Sequence, residues 1–589
     1  MSGTAEAPTV RTPVLIIGSS MVGMTLSALL AKHGVKKCIT VEKHSSTAIH
    51  PRAALFHPRT MQICRELGLY ERMKSASYEY YDGHAGVHNV ESLAGKKLGT
   101  WMKDINEGLE DISPTSRMFL TQQMFEPLLR EQAEKNGADL RFSTELVDFR
   151  QDEKCVNATL RDTATGATQN VQAQYMIACD GNRSFVRQKI GIPLEGHGLL
   201  SYSVTIYFKA DLGRFVRGSM NGVIYVNNEH VRGFFRLDKT GTEGFLVVNT
   251  AGQRGTAESR FPAKDITRER AAELLTAAIG ADVDFEITLL SPWRAVCDVA
   301  GRFIENRILL AGDAGESHTA PCLSYAYADC HIFPSSAHTV TPNGGFGGNT
   351  GLQDAHNLAW KLALVLQCQA GPKLIQSYEE ERWPVAKKTI DQVFKRYLVR
   401  TDPELRQPDM LVEEEVPDSH LELGFQYVSR ALTNKTLPNE GQITSDPAIA
   451  NAVAGSMSHH VLIQEMSAVT GVDSRPHPIA DLLGHSFVLV CGPGGSSWVQ
   501  AARRLNMQEK ALPNVAVHQL SSDPCNQRFY NRYALSPSGC VLIRPDGFVA
   551  WSQHSLDLQD ADSILVTVLG RRLKCIVEQI LCLEDRARL

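Results

Sequence analysis

The pattern of apolar and polar residues near the N-terminus predicts a strand, a tight turn, a helix and a second strand. Residues 13–17 form a short apolar run typical of a buried strand, and residues 18–23 are mostly small. An amphipathic run follows, and the next apolar run, residues 38–41, ends in Glu42, twenty-four positions after Gly18. This order is that of a βαβ unit in a parallel sheet, where an acid after the second strand can bind a ribose hydroxyl.

The turn between the first strand and the helix has the chemistry of a phosphate site. Gly18 and Gly23 let the backbone approach a pyrophosphate, and the N-terminus of the helix offers free N–H groups to its negative charge. Ser20 stands where the dinucleotide pattern G-x-G-x-x-G has its middle glycine. The turn therefore indicates an adenine dinucleotide, and a βαβ unit without a ligand is the alternative.

Two later strands end in acidic residues in the same way. Residues 174–179 run into Asp180 and Gly181, and a further apolar run ends at Gly312 and Asp313. Because open α/β sheets bind ligands at the carboxyl ends of their strands, these residues predict the rest of one site. The alternative is that each Asp caps a helix or forms a turn.

The patterning then divides the chain into units. Alternating strands between residues 201 and 250 predict an inserted sheet that walls a substrate cavity, and the prolines and acidic run of residues 402–418 predict a boundary or a chain crossing the surface. Residues 420–570 read as a small α/β domain, in which Gly494 replaces the second thiol of a thioredoxin-like turn that starts at Cys491. Dithiol chemistry is therefore not expected at that turn. The predicted units are a dinucleotide-binding domain of residues 1–195 and 296–405, a substrate-binding sheet domain of residues 196–295, a linker of residues 406–425 and a C-terminal domain of residues 426–589.

Composition excludes several classes of protein. The 589 residues carry a net charge of -5, so no basic surface for nucleic acid is expected, and no apolar run approaches the length of a membrane helix. The 13 cysteines are scattered singly, without a C-x-x-C pair, which predicts reduced thiols and no metal site. We expect a cytoplasmic protein; residues 587–589, Ala-Arg-Leu, loosely resemble a peroxisomal signal, which is the alternative.

In this order the motifs resemble those of the single-component FAD-dependent aromatic monooxygenases of the phenol hydroxylase-like group, and the resemblance spans nearly the whole chain. It is carried by the turn of residues 18–23, Arg52 with residues 57–61, Gln122 with Phe125 and Glu126, Asp180 and Gly181 with Arg187, and Gly312 with Asp313.

The resemblance implies an α/β fold: a Rossmann-like FAD-binding domain of the para-hydroxybenzoate hydroxylase type, an inserted antiparallel sheet and a thioredoxin-like C-terminal domain. It also implies that NAD(P)H reduces FAD, that O2 adds to give a flavin C4a-hydroperoxide, and that this intermediate hydroxylates a phenolic or polyketide-type aromatic substrate in phenol degradation or secondary metabolism. NAD(P)H would bind only transiently, and a family-like homodimer is expected. The alternatives are oxidative decarboxylation, Baeyer-Villiger-type ring oxidation, or an inactive flavin-fold product.

The same resemblance supplies the expected site residues. The glycine-rich run of residues 342–350 precedes a predicted helix, so its N–H groups can face the flavin pyrimidine and stabilise the anion formed on reduction. The expected cofactor-binding residues are Gly18, Gly23, Glu42, Arg52, Gln122, Asp180, Gly181, Asp313, Gly348, Asn349 and Thr350, and the expected catalytic residues are Arg52, Tyr225, His338 and Pro342.

One departure from the family pattern concerns the substrate. The Asp, Arg and Tyr that phenol hydroxylases place beside the ring fall on Ala54, Val226 and Phe234 in an approximate register. Either another group acts as the base or the substrate is acidic enough to ionise unaided. The candidates on nearby strands are Tyr225, which could equally be an aromatic residue packed on the sheet, His230 and Arg232.

A second departure interrupts the predicted flavin turn. The family sequence G-D-A-A-H becomes continuous only when the 22 residues from Gly315 to Ser336 are removed. The segment has a length that keeps the reading frame, and its ends can be encoded as an intron donor and acceptor. We interpret it as a retained intron, of fungal type, with an unusually long lid loop as the alternative.

Overall fold

The fold is that of a computed structural model, which describes residues 9–48, 55–181, 184–216, 222–252, 266–312, 337–406, 414–433, 442–449, 453–466, 475–556 and 562–583. The predictions made above for Arg52, Ala54, Asp313, residues 315–336 and residues 587–589 lie outside these ranges.

The described ranges form three main sheets with helices packed between and around them. The strands are β1 (Val10–Ile17), β2 (Ile39–Val41), β3 (Leu55–Phe56), β4 (Val87–Val90), β5 (Lys97–Met102), β6 (Met118–Phe119), β7 (Asp139–Arg141), β8 (Thr144–Gln151), β9 (Val156–Asp162), β10 (Thr168–Ala178), β11 (Leu194–Ala210), β12 (Val223–Asn227), β13 (Val231–Leu237), β14 (Glu243–Ala251), β15 (Phe285–Ala300), β16 (Ile304–Glu305), β17 (Ile308–Leu310), β18 (His338–Thr339), β19 (Leu462–Ile463), β20 (His477–Pro478), β21 (Phe487–Cys491), β22 (Val515–Gln519), β23 (Cys540–Ile543) and β24 (Val549–Gln553). The α-helices are α1 (Met21–Lys32), α2 (Pro58–Glu66), α3 (Tyr70–Tyr80), α4 (Gln122–Lys135), α5 (Phe185–Lys189), α6 (Arg268–Ile279), α7 (Phe346–Leu366), α8 (Lys373–Arg400), α9 (Asp418–Glu422), α10 (Ser496–Gln508), α11 (Gln527–Tyr533) and α12 (Asp562–Ile580).

The first sheet has a parallel core in the order β17-β10-β1-β2-β7. Its central strand β1 is apolar along most of its length because both faces are covered, and α1 packs against α4 and α7. Ile16 pairs with Ile177 on one side and with Thr40 on the other. The predicted strand-turn-helix-strand unit is confirmed, and its strands end at one common edge.

The second sheet has the order β18-β15-β11-β14-β13-β12-β4-β5 and is antiparallel except for the β12–β4 pair. Its strands alternate between two faces, as period-two patterning requires. On β13, Phe235 and Leu237 belong to the apolar core beneath α6, whereas Phe234 and Arg236 face the opposite side. The inserted sheet predicted from residues 201–250 is confirmed.

The third sheet, in the order β22-β21-β23-β24, belongs to the thioredoxin-like C-terminal unit, with α10 packed against α12. Cys491 lies opposite Cys540 in the β21–β23 pair, and both thiols are buried. Burial raises the pKa of Cys540 well above its usual value, as is typical of an inert structural thiol.

The turn between β23 and β24 inserts into the rest of the protein through a fully buried ion cluster. Arg544 donates to both oxygens of Glu381 at 2.7 and 2.8 Å and to Asp546 at 2.9 Å. Lys361 donates to Glu381 at 2.8 Å. Because every charge in this cluster is paired, the C-terminal unit is held against α7 and α8 without an unpaired buried ion.

The segment predicted as a surface linker is partly buried instead. Its helix α9 buries Leu421 and Glu422, and the carboxylate of Glu422 pairs with Arg117 at 2.7 Å. The Glu422 carboxylate near the end of this segment is therefore neutralised inside the protein, whereas Glu414 and Glu415 of the acidic run stay exposed. In the part of the chain that the structure describes, no helix has the length and apolar character needed to cross a bilayer.

Candidate active site

A cavity of about 840 Å³ lies between the first and second sheets. We call its two parts the strand-end region and the sheet-face region. The strand-end region is lined by the carboxyl ends of β1, β2, β10 and β17, including Gly18, Glu42, Asp180, Gly181 and Ala311. The sheet-face region is lined by alternate residues of the second sheet and by side chains from three other segments, including Thr205, Tyr207, Val223, Tyr225, Phe234, Arg236, Phe245, Val247, Trp293, Trp101, Arg117, Arg400, Asp418 and Glu422.

The turn after β1 is built so closely that only glycine fits at two positions. Gly18 has a φ of +100°, and a Cβ there would lie 2.2 Å from the carbonyl oxygen of Cys179. A Cβ on Gly23 would lie 1.9 Å from the carbonyl oxygen of Gly18. The turn therefore brings bare backbone and the N-terminus of α1 to the cavity, which is the surface that a pyrophosphate needs.

Glu42 lies at the cavity beside this turn. Its two carboxylate oxygens accept the backbone N–H groups of Ser19 and His44, each at 3.0 Å. An ionised carboxylate has further lone pairs, so Glu42 can still accept a hydrogen bond from a ribose hydroxyl.

Gln122 meets the same turn from α4. Its amide donates to Ser20 at 2.9 Å and to Glu126 at 2.7 Å, and Glu126 accepts the N–H of Met21 at 3.1 Å. The carboxylate of Glu126 thus lies at the N-terminus of α1, where the helix dipole favours a negative charge. Its hydrogen bond from Ser20, at 2.6 Å, explains why a serine fits where the usual pattern has glycine.

Asp180 and Gly181 follow β10 and line the cavity. The Asp180 carboxylate accepts the N–H of Val186 at 3.1 Å, so it also caps the short helix α5. Arg187 is buried beside this turn and donates to the carbonyl oxygen of Ile192. The two readings of Asp180 are therefore compatible, because one carboxylate can cap a helix and face a ligand.

The glycine-rich loop before α7 meets the cavity through Pro342, Gly344, Gly345, Gly347 and Gly348. These positions bring the N-terminus of a 21-residue helix to the cavity wall. Its first N–H groups and its dipole can therefore stabilise negative charge on a bound ring.

Asn349 and Thr350 act on the loop itself. The Asn349 side chain accepts the N–H of His57 at 2.8 Å and donates to the carbonyl oxygen of Leu55 at 2.9 Å. The Thr350 hydroxyl donates to the carbonyl oxygen of Phe346 at 2.9 Å. Neither side chain is in the cavity lining, so both position the loop from behind and leave ligand contact to the backbone.

His338 lies behind the turn after β17 and outside the cavity lining. Its Nε2 lies 2.8 Å from Oδ2 of Asp354, which also accepts the N–H of Gly312 at 3.1 Å. Arg382 donates to the other oxygen of Asp354 at 2.7 Å. Burial opposes ionisation of Asp354, but Arg382 and His338 outweigh it and lower the pKa of this carboxyl. In this structure His338 positions the turn and is not within reach of a ligand in the cavity.

The residues on either side of the suspected insertion remain close together. The N–H of Ala337 donates to the carbonyl oxygen of Gly312 at 3.3 Å. If Gly315 to Ser336 were absent, these two residues would be three positions apart, and the same contact would be the hydrogen bond of a β-turn.

Among the predicted catalytic residues that the structure describes, only Tyr225 has its side chain in the sheet-face region. Its ring meets Trp101 edge to face at 4.6 Å and lies 5.5 Å from Phe234. Burial raises the pKa of Tyr225, although Arg400 opposes the shift. The phenol is therefore protonated at neutral pH, which makes it a hydrogen-bond donor and a poor general base.

The other proposed bases lie elsewhere. His230 is exposed in a turn beside Glu229, and Arg232 is buried with its Nε donating to Thr250 at 2.7 Å. Neither lines the cavity. Among the aligned positions that lack the family's ring-binding groups, Phe234 lines the cavity and Val226 packs into the opposite core.

Sequence reasoning missed the charged side chains of the sheet-face region. Arg236 is 2% exposed and lies between the rings of Tyr81 and Phe119, at 4.1 and 3.7 Å. Burial lowers the pKa of Arg236 to about 10, so it is still a cation at neutral pH. Its place on the same face of β13 as Phe234 follows from period-two alternation, which was the signal available. Asp418 and Glu422 come from the supposed linker, and no pattern assigned that segment to the site.

Two protein families match this chain. The family described as FAD binding domain matches residues 11–321 and 335–393, and the family described as aromatic-ring hydroxylase, C-terminal, matches residues 464–572. The gap between the first two ranges, residues 322–334, lies inside the suspected insertion.

The relatives extend over the whole chain. It is 41% identical over 568 residues to 4-methyl-5-nitrocatechol 5-monooxygenase of a Burkholderia species, covering 95% of this chain and 97% of that protein. It is 30% identical over 583 residues to tetracenomycin B2 monooxygenase-dioxygenase of Streptomyces olivaceus, covering 95% and 99%. These relatives are bacterial, so they give no support to a fungal origin.

A solved structure has the same fold. Aklavinone-11 hydroxylase in a ternary complex with FAD and aklavinone superposes with a TM-score of 0.83 at 27% identity, covering 98% of this chain and all of that one. The likeness includes both cavity-forming sheets and the C-terminal unit.

Proposed function

The chain belongs to the FAD-dependent aromatic-ring hydroxylases and is an FAD-dependent monooxygenase; from that premise we propose that its substrate is an acidic phenol of the nitrocatechol class. The observation that carries this proposal is the buried cation Arg236, which shares one face of the second sheet with the apolar and aromatic side chains that line the cavity. A phenolate loses hydration energy on entering this region, and the attraction to that charge compensates for the loss, whereas a neutral phenol gains less from it.

The residues of the strand-end region fit FAD. Gly18 and Gly23 leave room for a pyrophosphate, Glu42 can bind the ribose, and the loop ending in Gly348 can face the flavin ring. When bound, FAD supplies the electrons and the activated oxygen. NAD(P)H as reductant, O2 as oxidant, the C4a-hydroperoxide route, the homodimer and the predicted domain limits remain parts of this proposal.

An acidic substrate accounts for the missing base. Of the groups considered as bases, Tyr225 is protonated at neutral pH, while His230 and Arg232 lie outside the cavity lining. A nitro group lowers the pKa of a phenol, so the substrate arrives ionised and needs no deprotonation by the protein. The 41%-identical relative is named for 4-methyl-5-nitrocatechol, which has this property.

A polyketide-type aromatic is the second candidate. The fold superposes on an aklavinone hydroxylase, and the sheet-face region has aromatic side chains on which a fused-ring ligand could pack. The sheet-face region would then hold a fused-ring substrate, with the same arginine facing one of its phenolates.

Turnover assays on the FAD-loaded chain test the proposal. We expect 4-methyl-5-nitrocatechol to stimulate NAD(P)H oxidation more than 4-methylcatechol or aklavinone does. Oxygen added at an unsubstituted carbon raises the product mass by one oxygen, whereas oxygen added at the nitro-bearing carbon releases nitrite, so mass spectrometry and a nitrite assay separate the two positions.

A preference for aklavinone would favour the second candidate, and ring-opened or decarboxylated products would favour the oxidations that were the sequence alternatives. Holoenzyme that no phenol stimulates would overturn the proposal.

A further inference from the structure

Asp418 stands out among the carboxylates of the sheet-face region. It is the first residue of α9 and lines the cavity, and its side chain is 16% exposed. Arg396 donates to its Oδ1 at 2.7 Å, and within the described ranges its Oδ2 receives no hydrogen bond. Glu422, one turn later on the same helix, differs because Arg117 engages both of its oxygens at 2.7–3.1 Å.

The charge on Asp418 is stable. Burial opposes ionisation, but Arg396, Arg117 and Arg400 together lower the pKa of this carboxyl below its usual value. An ionised carboxylate is an acceptor without a donor, so its free oxygen attracts a neutral hydroxyl and repels a phenolate. Asp418 lines the same region as Tyr225 and Trp101, so a ligand packed on these aromatic side chains shares the cavity with its carboxylate.

A catechol that has lost one proton carries both kinds of group, one phenolate and one hydroxyl. We propose that Asp418 is a specificity-determining residue that accepts a hydrogen bond from the un-ionised hydroxyl of a dihydroxylated aromatic substrate. The phenolate of the same substrate then faces Arg236. This inference rests on the proposed function and deepens it, because it distinguishes catechols from phenols with a single hydroxyl.

A purely structural role for Asp418 predicts a different outcome. Its contact with the buried Arg396 could simply hold α9 against α8. Glu415 offers a matched comparison, because it pairs with the same Arg396 at 3.6 Å and with Arg400, yet it is not in the cavity lining. Changing Glu415 weakens the support of both arginines without removing an acceptor from the cavity.

The experiment compares Asp418→Asn with Glu415→Gln in FAD-loaded enzyme. The probes are 4-methyl-5-nitrocatechol and the analogue in which the hydroxyl meta to the nitro group is methylated and can no longer donate, while the acidic para hydroxyl remains. For Asp418→Asn we expect kcat/KM to fall about tenfold or more with the catechol and less than about twofold with the methyl ether. For Glu415→Gln we expect changes below about threefold with both. Flavin absorbance and the urea midpoint establish that both variants are folded and loaded.

Equal losses on the two probes, or the same loss in Glu415→Gln, would overturn the role of Asp418 and leave the proposed function standing. Where turnover is too slow, titration of each probe against the flavin absorbance gives the same comparison as a ratio of dissociation constants. Wild-type enzyme that neither binds nor oxidises these phenols would overturn both statements.

Discussion

The two parts of the cavity differ in the atoms that line them. The strand-end region presents mainly backbone, with glycines at Gly18 and Gly23 and the N-termini of α1 and α7 directed at the cavity. The sheet-face region consists of side chains, namely alternate residues of six strands and charged groups from α8 and α9. A backbone site tolerates few substitutions, because a Cβ would meet the chain itself. A side-chain site can change its chemistry one residue at a time, which suits a substrate pocket on a common flavin framework.

We expect the largest effect on FAD binding from the removal of residues 315–336. We expect the shortened chain to hold more FAD per chain than the full-length chain, because the N–H of Ala337 already lies 3.3 Å from the carbonyl oxygen of Gly312, so that one β-turn can join the two ends without the segment. The measurement is the visible flavin absorbance of both purified chains.

A third chain with a Gly/Ser segment of equal length in place of residues 315–336 is the control for length alone. Equal flavin in the full-length and shortened chains would make the segment a tolerated loop. Spliced transcripts that uniformly encode Gly315 to Ser336 would contradict the retained intron whatever the flavin content.

Gly18→Ala is expected to have the next largest effect. The new Cβ adds about 1–2 kcal/mol of strain at a positive φ and meets the carbonyl oxygen of Cys179 at 2.2 Å, so the turn must move. We expect FAD affinity to fall by about 100-fold or more, measured by flavin fluorescence titration of the shortened chain. Gly68→Ala is the matched control, since Gly68 also has a positive φ but has nothing within 4 Å of its Cβ position. Equal losses in both variants would mean that strain alone matters.

Arg382→Leu tests whether the turn at Gly312 depends on the buried charges behind it. The substitution leaves Asp354 buried with the imidazole of His338 as its remaining side-chain partner, and breaking a buried pair costs about 3–5 kcal/mol in the free energy of unfolding. Urea unfolding of the apoprotein measures this cost. Arg72→Leu breaks the exposed pair with Glu131 and should cost less than about 1 kcal/mol. A similar small loss in both variants would refute the dependence.

The difference between the strand-end and sheet-face regions also explains which parts of the site could be predicted from the sequence. The positions of Gly18 and Glu42 at the cavity could be predicted, because a βαβ unit fixes residue types and spacing after its strands. The contact of His338 with Asp354 could not, because a motif position says nothing about which way the side chain turns. Arg236 required the register of β13, and Asp418 required knowing that a proline-bounded acidic segment folds back over the cavity.

Tyr225→Phe should have the smallest effect, and it tests whether Tyr225 acts as a general base in the sheet-face region. The hydroxyl is buried, and burial raises its pKa from the ordinary value of a tyrosine, so it can donate a hydrogen bond to a ligand and does not act as a base. Losing one such bond costs about 1 kcal/mol, which predicts a loss in kcat/KM of about fivefold with FAD binding unchanged. The pH profile of kcat/KM between pH 6 and 9 should keep its shape, because a phenol that stays protonated across this range contributes no titration. A limb that disappears in Tyr225→Phe would instead identify the tyrosine as the base, and the argument for a self-ionising substrate would fail with it.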